Sequence, residues 1–284
     1  IGYWPLNEGK GTIAHDLSGK GEHATINGAT YSSDSPIIDN VAPTISSVSS
    51  TTPDSTYKIG DTIAITVTFS EAVTVTGTPQ LNMETGGTDA VVDYFSGSDT
   101  TLTFNYTVAS GHSSSDLDYV STTALALNSG TIKDAVGNAA VLTLPSPGET
   151  NSLGANKAIV VDGVIPTLTF TPVSGGTGVD ISSNIILTFS EPVRNLDNSE
   201  ITDTNVDGLI TLKVTNSSGS DITFDATVNT EKTVITVDPT SNFAAEQTVY
   251  VAIGATVEDT IGNVVAVSNV TFTTSTDNIA PTIS

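Results

Sequence analysis

The sequence predicts an all-β protein that contains two tandem β-sandwiches and a short N-terminal β-hairpin segment. Three observations lead to this fold class. The 284 residues are rich in Thr, Ser, Val, Asn and Asp, which favour strands and turns. No window shows the apolar 3.6-residue repeat of a long amphipathic helix. A short phrase occurs three times at the spacing of small domains, which indicates an internal repeat.

The repeated phrase consists of an acidic residue, a short spacer and a Pro-Thr pair. Its copies are DNVAPT, DGVIPT and DNIAPT, at residues 39–44, 162–167 and 277–282. Successive copies lie roughly 120 residues apart, the size of one small domain. We therefore predict a hairpin segment, two sandwiches and the linker that opens a further repeat, at residues 1–38, 39–162, 163–276 and 277–284.

Each half of the chain contains short segments in which side chains alternate between two faces. In residues 63–69, for example, Ile, Val and Phe share one face, and Ala and Thr share the other. The strands predicted in the first half are 63–69, 90–95, 101–108 and 158–161. Those predicted in the second half are 185–189, 210–214, 233–237, 249–253 and 267–272. Roughly seven short strands in about 110 residues indicate an Ig-like Greek-key sandwich in each half.

Two further landmarks recur in the same order in both halves. FSEAV at 69–73 matches FSEPV at 189–193, and DAVGN at 134–138 matches DTIGN at 259–263. From FSEPV through VEDTIGN to VTFTT, the second half resembles the Ig-like modules of bacterial S-layer proteins and large adhesins. The first half is similar to a related surface-repeat variant from bacterial motility and adhesin proteins. The resemblance implies a prokaryotic protein of the extracellular space or cell surface.

The first 31 residues follow a different pattern. The segments YWPLNEGKGT, DLSGKG and GATY resemble the opening hairpin of a laminin-G/concanavalin-like jelly roll. A hairpin this short cannot bury a core alone. We expect it to dock on the neighbouring sandwich, to complete a partner's sheet, or to belong to a jelly roll whose remainder is absent. Trp4 would then be its anchor, in an interface or a core.

Charge and composition exclude several classes of function. With 8 Lys and Arg against 31 Asp and Glu, the formal net charge is −23, which repels nucleic acids and anionic membranes and attracts cations. The chain has no cysteine, which excludes disulfides and thiolate metal sites, and no apolar stretch long enough to span a membrane. No nucleophile elbow, phosphate loop or dinucleotide fingerprint occurs, and His15, His23 and His112 lack the spacing of a zinc site. We predict no enzyme activity and no catalytic or organic-cofactor residues.

The repeated landmarks also predict a metal site. In an Ig-like sandwich, the entering linker and the loops after the second and sixth strands lie at one pole. Oxygen donors from three loops, without His or Cys, suit Ca²⁺, and the phrase resembles the calcium-binding linker of cadherins. The predicted ligands are Asp39, Asn40, Glu71, Asp134, Asn138, Asp162, Glu191, Asp259, Asn263 and Asp277. The Asp-x-x-Gly-Asn segments are also good turns, so purely structural capping is the alternative.

These expectations combine into a non-enzymatic extracellular repeat segment, acting as a stalk, spacer or surface-lattice element with Ca²⁺-stiffened joints. Its partners would be neighbouring repeats or copies of itself, with neither nucleic acid binding nor membrane insertion. One alternative is a subunit of a self-assembling filament or matrix fibre that exchanges a strand through its N-terminal hairpin. Another is a carbohydrate-binding module that recognises cell-surface glycans.

Overall fold

A computed structural model describes residues 3–4, 12–28 and 39–276 of the chain. The described residues form strands and turns, with only one short α-helix and one short 3₁₀ helix among them, which confirms the predicted all-β fold class. The chain divides into two compact units, residues 1–41 and residues 42–284. The third copy of the phrase at 277–282, and with it Asp277, lies outside the described residues.

The first unit contains a small antiparallel hairpin of β1 (Ile13–Ala14) and β2 (Ala24–Thr25). The indole N–H of Trp4 donates a hydrogen bond of 2.9 Å to the carbonyl oxygen of Glu22. Trp4 nevertheless remains 39% exposed. The predicted hairpin segment is therefore present in part, whereas its resemblance to a jelly roll stays a prediction.

Asp16 organises the turn of this hairpin. Its buried carboxylate accepts hydrogen bonds from the Ser18 hydroxyl and from the backbone N–H groups of Tyr3, Ser18 and Glu22. These bonds, that from the Ser18 hydroxyl foremost, hold the pKa of Asp16 well below its usual range despite its burial. The carboxylate thus ties together three separate backbone positions of a segment too short to bury a core of its own.

The second unit begins with a set of strands that all precede residue 163. They are β3 (Ile45–Ser50), β4 (Thr56–Tyr57), β5 (Thr62–Phe69), β6 (Thr74–Thr76), β7 (Gln80–Glu84), β8 (Ala90–Ser98), β9 (Thr101–Thr107), β10 (Ser113–Ser114), β11 (Asp118–Tyr119), β12 (Leu125–Ala126), β13 (Thr131–Lys133) and β14 (Val160–Asp162), with α1 (Leu153–Asn156) before β14. The large sheet has the order β11-β7-β8-β9-β5-β3, with β12 also beside β7. Smaller sheets have the orders β10-β14-β4 and β13-β6.

Strand β8 changes its pairing partner partway along its length. Its first half pairs with β7, and its second half, from Tyr94 onward, pairs with β9. The register shifts between Tyr94 and Ser96, which marks a bulge at the point where the strand changes partner. One continuous strand therefore joins the β7 part of the large sheet to the β9 part, which the pattern of residues 90–95 did not predict.

The remaining strands form a second sandwich. They are β15 (Leu168–Thr171), β16 (Ile185–Phe189), β17 (Val193–Asn195), β18 (Ile210–Val214), β19 (Phe224–Val228), β20 (Val234–Pro239), β21 (Thr248–Ile253), β22 (Val257–Asp259) and β23 (Ser268–Thr273), with a 3₁₀ helix at Val206–Leu209. Its layers have the orders β15-β16-β20-β19 and β18-β21-β23, and β17 pairs with β22. The predicted strands 185–189 and 210–214 coincide with β16 and β18.

Each sandwich has its own hydrophobic core. In β5, the alternation places Ile63, Ile65 and Val67 in the interior, fully buried, with threonines on the outer face. The first core runs along the chain from Val48 to Val161, and the second from Phe170 to Phe272. Burying one large aliphatic side chain contributes about 1.5–3 kcal/mol, so each cluster is a main source of stability for its own sandwich. Among the residues that the structure describes, the two cores share no buried residue, although both sandwiches belong to the same compact unit.

The connection between the sandwiches begins at the end of β14. This strand runs parallel to β4 on one side and antiparallel to β10 on the other. Directly after it, the Gly163 N–H donates to the His112 carbonyl oxygen, and the Gly111 N–H donates to the Gly163 carbonyl oxygen, both at 2.7 Å. A Cβ atom at Gly163 would lie 2.3 Å from the Ala109 carbonyl oxygen. This close approach explains why the second copy of the phrase has Gly where the first has Asn40.

Candidate functional site at the joint between the sandwiches

The loop at residues 259–263 is built around the carboxylate of Asp259. One oxygen, Oδ1, accepts hydrogen bonds from the backbone N–H groups of Ile261, Gly262 and Asn263 at 2.6–2.9 Å. The other, Oδ2, accepts from the side-chain amide of Asn263 at 2.8 Å. Gly262 has a φ of +110°, which favours glycine. The Asp-x-x-Gly-Asn pattern thus encodes a self-contained turn.

The loop at residues 134–138 repeats these contacts. Asp134 Oδ1 accepts from the N–H groups of Val136, Gly137 and Asn138 at 2.6–3.0 Å, and Asn138 Nδ2 donates to Oδ2 at 2.7 Å. Burial alone would raise the pKa of Asp134, but the combined hydrogen bonds from Asn138, Gly137 and Val136 outweigh it and lower the pKa below its usual value. Both aspartates therefore cap their own loops, as the structural alternative expects.

The phrase and the FSE segment are also bonded to each other in both sandwiches. The Thr167 N–H donates to the Ser190 hydroxyl at 2.9 Å, and the Ser190 N–H donates back to the Thr167 carbonyl oxygen at 3.0 Å. Thr44 and Ser70 make the same reciprocal pair at 3.0 and 2.8 Å. This pairing holds the glutamate that follows each serine beside the entering segment.

Three carboxylates converge where the connection enters the second sandwich. Asp162 is the last residue of β14, Glu191 lies between β16 and β17, and Asp259 ends β22. The pairing of β17 with β22 brings Val193 opposite Asp259, so that Glu191 lies nearby. Each of the three acidic residues offers one carboxylate oxygen, and these oxygens lie within 4.8 Å of one another. We call these three residues the joint cluster.

The three carboxylates of the joint cluster repel one another when all of them are ionised and no cation is bound. Burial raises the pKa of Glu191, and the negative charges of Asp259 and Asp162 raise it further. Among the described residues, the ion pairs within 4.0 Å are Lys157–Asp54, Arg194–Glu258, Lys213–Asp221 and Lys232–Glu200. None of these pairs includes a member of the joint cluster. A bound cation would therefore relieve a repulsion that these ion pairs leave in place.

The first sandwich brings two of its predicted ligands together. Glu71 follows β5 and Asp134 follows β13, and their nearest carboxylate oxygens lie within 4.8 Å. Asp39 and Asn40 belong to the first unit, where Asn40 is exposed and the Asp39 carboxylate accepts a hydrogen bond of 2.9 Å from the Val41 N–H.

Asn263 makes contacts that the sequence analysis missed. Its Oδ1 accepts a hydrogen bond of 3.1 Å from the Ile59 N–H of the first sandwich, and its Nδ2 donates to the Asp162 carbonyl oxygen at 2.9 Å. The ammonium of Lys58 donates to the Gly262 carbonyl oxygen at 3.1 Å. Lys58 and Ile59 lie 204 residues before their partners, and no local pattern marks them.

Comparisons with known proteins agree with this fold. Residues 162–274, less than half of the chain, match a family model described as a bacterial Ig-like domain. No curated protein sequence matches the chain. No helix in the described part of the chain is long and apolar enough to cross a membrane.

Several solved structures show a distant likeness. They include the titin I-band fragment I67–I69 (6% identity, 83% of this chain and 66% of that chain, TM-score 0.33), titin A168–A169 (9%, 84% and 100%, TM-score 0.28) and domains 1–6 of the surface layer protein SbsC (14%, 86% and 42%, TM-score 0.19). The chain thus spans under two thirds of the I67–I69 fragment and under half of the SbsC fragment. With TM-scores this low, the likenesses say nothing about function or domain arrangement.

Proposed function

We propose that this chain is a non-enzymatic segment of a prokaryotic extracellular repeat protein, a stalk, spacer or surface-lattice element whose joints are stiffened by Ca²⁺. The observation that carries the proposal is the joint cluster, placed where one Ig-like sandwich passes into the next. The bacterial Ig-like match of the second sandwich supports a structural module of bacterial type. The net charge of −23 suits an exterior rich in salt and divalent cations.

Calcium is the cation that fits the donor set. Asp162, Glu191 and Asp259 offer only carboxylate oxygens, and Ca²⁺ takes six to eight oxygen ligands in a flexible geometry. The remaining positions would be filled by water and by carbonyl oxygens. Zinc would favour His or Cys, and Mg²⁺ demands a stricter octahedron. The predicted roles of Asn138 and Asn263 as ligands stay predictions, and both amides already bond to an aspartate of their own loop.

The mechanical consequence follows from where the ligands lie. Asp162 belongs to the last strand of the first sandwich, whereas Glu191 and Asp259 belong to the second. Domains in one chain that share a small interface move relative to each other by default. A cation bound by all three carboxylates would remove much of that freedom and keep the segment extended.

Titration of the full chain with Ca²⁺ tests this proposal. We expect calorimetric binding of Ca²⁺ and a higher melting temperature in Ca²⁺ than in EGTA. Asp162→Asn keeps the size of the side chain and removes one charge from the joint cluster, so it should weaken binding. Asp89→Asn, at an exposed position outside the cluster and outside the four ion pairs, is the matched control. If neither heat nor a change in stability accompanies Ca²⁺, the calcium-stiffened joint is wrong.

Two other functions stay predictions from the sequence. A filament that exchanges a strand through the N-terminal hairpin requires that the chain self-associate and that removal of residues 1–38 abolish association. A carbohydrate-binding module requires glycan binding by the full chain on an array. A monomer with and without the hairpin contradicts the first, and an array without signal contradicts the second.

A further inference from the structure

We infer that the loop at residues 259–263 is the docking surface for the preceding sandwich, and that Asn263 is the positioning residue that sets the angle of the joint without a metal. The inference rests on the proposed spacer function and deepens it, because it names a second device that stiffens the same joint. The device consists of protein hydrogen bonds alone.

The side chain of Asn263 bonds to both sandwiches at once. Its Oδ1 accepts from the Ile59 N–H of the first sandwich, and its Nδ2 donates to the Asp162 carbonyl oxygen and to Asp259 Oδ2. The residue is 2% exposed. Both the oxygen and the nitrogen of the planar amide are thus hydrogen-bonded in a buried site, where a polar atom without a hydrogen-bond partner is destabilising. The amide tolerates only a narrow range of relative positions of the two sandwiches.

Lys58 provides a second contact on the same loop. Its Nζ donates to the Gly262 carbonyl oxygen, and its aliphatic stem lies over Gly262, so that a Cβ there would be 3.2 Å from Lys58 Cδ and 2.7 Å from Nζ. Gly262 therefore leaves room for the lysine as well as supplying a positive φ. The first sandwich thus contacts this loop through two successive residues, Lys58 and Ile59.

These contacts lie beside the covalent connection, because β4 runs parallel to β14 and its continuation at Lys58 and Ile59 is the neighbour of Asp162. The chain passes between the sandwiches at Asp162 and Gly163, where Gly163 is bonded to His112 of the first sandwich. A single connection of this kind allows rotation about the chain. The bonds from Lys58 and Ile59 add a second point of attachment, contributed by a segment about one hundred residues earlier in the first sandwich. Attachment through two neighbouring strands, β4 and β14, opposes that rotation.

The equivalent loop of the first sandwich shows which features belong to docking. A Cβ at Gly137 would meet no atom within 4 Å, and Val136 is 63% exposed. Its internal hydrogen bonds are nevertheless the same as those of the second loop. The turn is therefore common to both sandwiches, and the docked lysine belongs to the joint.

A distance measurement between two spin labels on the full chain tests the inference. Because the chain has no cysteine, Ser96→Cys and Thr227→Cys place one label on an exposed strand residue of each sandwich. Asn263→Ala removes the bonds to Ile59 and Asp162. Its matched control is Asn138→Ala, which removes the corresponding bond to Asp134. Lys58→Ala, with Lys133→Ala as control, leaves the second loop itself intact and decides the test if Asn263→Ala does not fold.

In EGTA we expect one narrow distance distribution for the parent protein and for both controls. Asn263→Ala should give a broad distance distribution instead of the narrow one. Lys58→Ala should give a distribution of intermediate width. If Asn263→Ala folds and its distance distribution in EGTA is as narrow as that of the parent, the inference is overturned. If Asn263→Ala does not fold, the same result for Lys58→Ala overturns it.

The same samples separate this inference from the calcium proposal. A parent protein that is broad in EGTA and narrow in Ca²⁺ overturns the inference and supports the metal. If the parent is narrow in both conditions, calorimetry shows no Ca²⁺ binding and the two variants broaden as expected, the inference stands and the calcium-stiffened joint is wrong.

Discussion

The loops at 134–138 and 259–263 have the same internal hydrogen bonds and different surroundings. In both, one aspartate oxygen accepts three backbone N–H groups and the other accepts the asparagine amide. In the second loop, Gly262 and Asn263 are buried against the first sandwich, whereas Gly137 is exposed. The motif therefore encodes a turn, and the neighbouring domain determines whether that turn becomes part of a joint.

The largest difference between the loops is expected in the free energy of unfolding that is lost when Asp259 or Asp134 is replaced by Ala. Asp259→Ala leaves N–H groups of Gly262 and Asn263 buried without a partner, which costs on the order of 3 kcal/mol. Asp134→Ala should cost less, because the N–H groups that it frees lie nearer to water. Chemical denaturation of both variants measures the difference. Equal losses of unfolding free energy in the two variants would show that burial of the second loop contributes little to stability.

A smaller effect is expected at the connection itself. Gly163→Ala places a Cβ 2.3 Å from the Ala109 carbonyl oxygen and 2.9 Å from that of His112, both backbone atoms that cannot move alone. We expect a loss of about 1–3 kcal/mol in unfolding free energy. Gly208→Ala is the control, since nothing lies within 4 Å of its added carbon. A neutral Gly163→Ala would mean that the connection is not packed as described.

Replacement of Glu191 should change the stability of the metal-free protein modestly, and the change should depend on pH. Burial and neighbouring charge raise the pKa of Glu191, so the metal-free fold binds its proton more tightly than the unfolded chain does. Stability in EGTA should therefore fall as pH rises from about 4.3, the ordinary value for Glu, through the raised pKa. Glu191→Gln should remove this decline and raise the melting temperature in EGTA at neutral pH. Glu71→Gln is the matched variant in the first sandwich, and an unchanged decline in Glu191→Gln would contradict the assignment.

The smallest difference is expected between the loop glycines. Gly137 and Gly262 have φ values of +102° and +110°, so replacement of either by Ala costs about 1–3 kcal/mol of backbone strain. The nearest atom to a Cβ at Gly262 is the flexible end of Lys58, which can move aside. Thermal denaturation should therefore give nearly equal losses. A much larger loss at Gly262 would show that Lys58 is held rigidly.

The parts of this fold that are local in sequence could be predicted from it. Short runs of apolar and β-branched residues located β16 and β18, whose buried side chains alternate along each strand in the structure. The order of strands in an Ig-like sandwich also led us to expect Asp162, Glu191 and Asp259 at one pole. The bonds from Ile59 to Asn263 could not be predicted, because they depend on how two finished domains meet. The change of partner along β8 depends on tertiary packing in the same way.

The position of β14 between β4 and β10 has a consequence for a chain under tension. Tension that enters through the joint pulls along β14, whereas its ladder hydrogen bonds run across the strand to a partner on each side. These bonds are loaded together, in shear, and do not open one after another as in a strand peeled from its end. In a chain under tension, the exit strand of the first sandwich would therefore resist extraction at the end that faces the next sandwich.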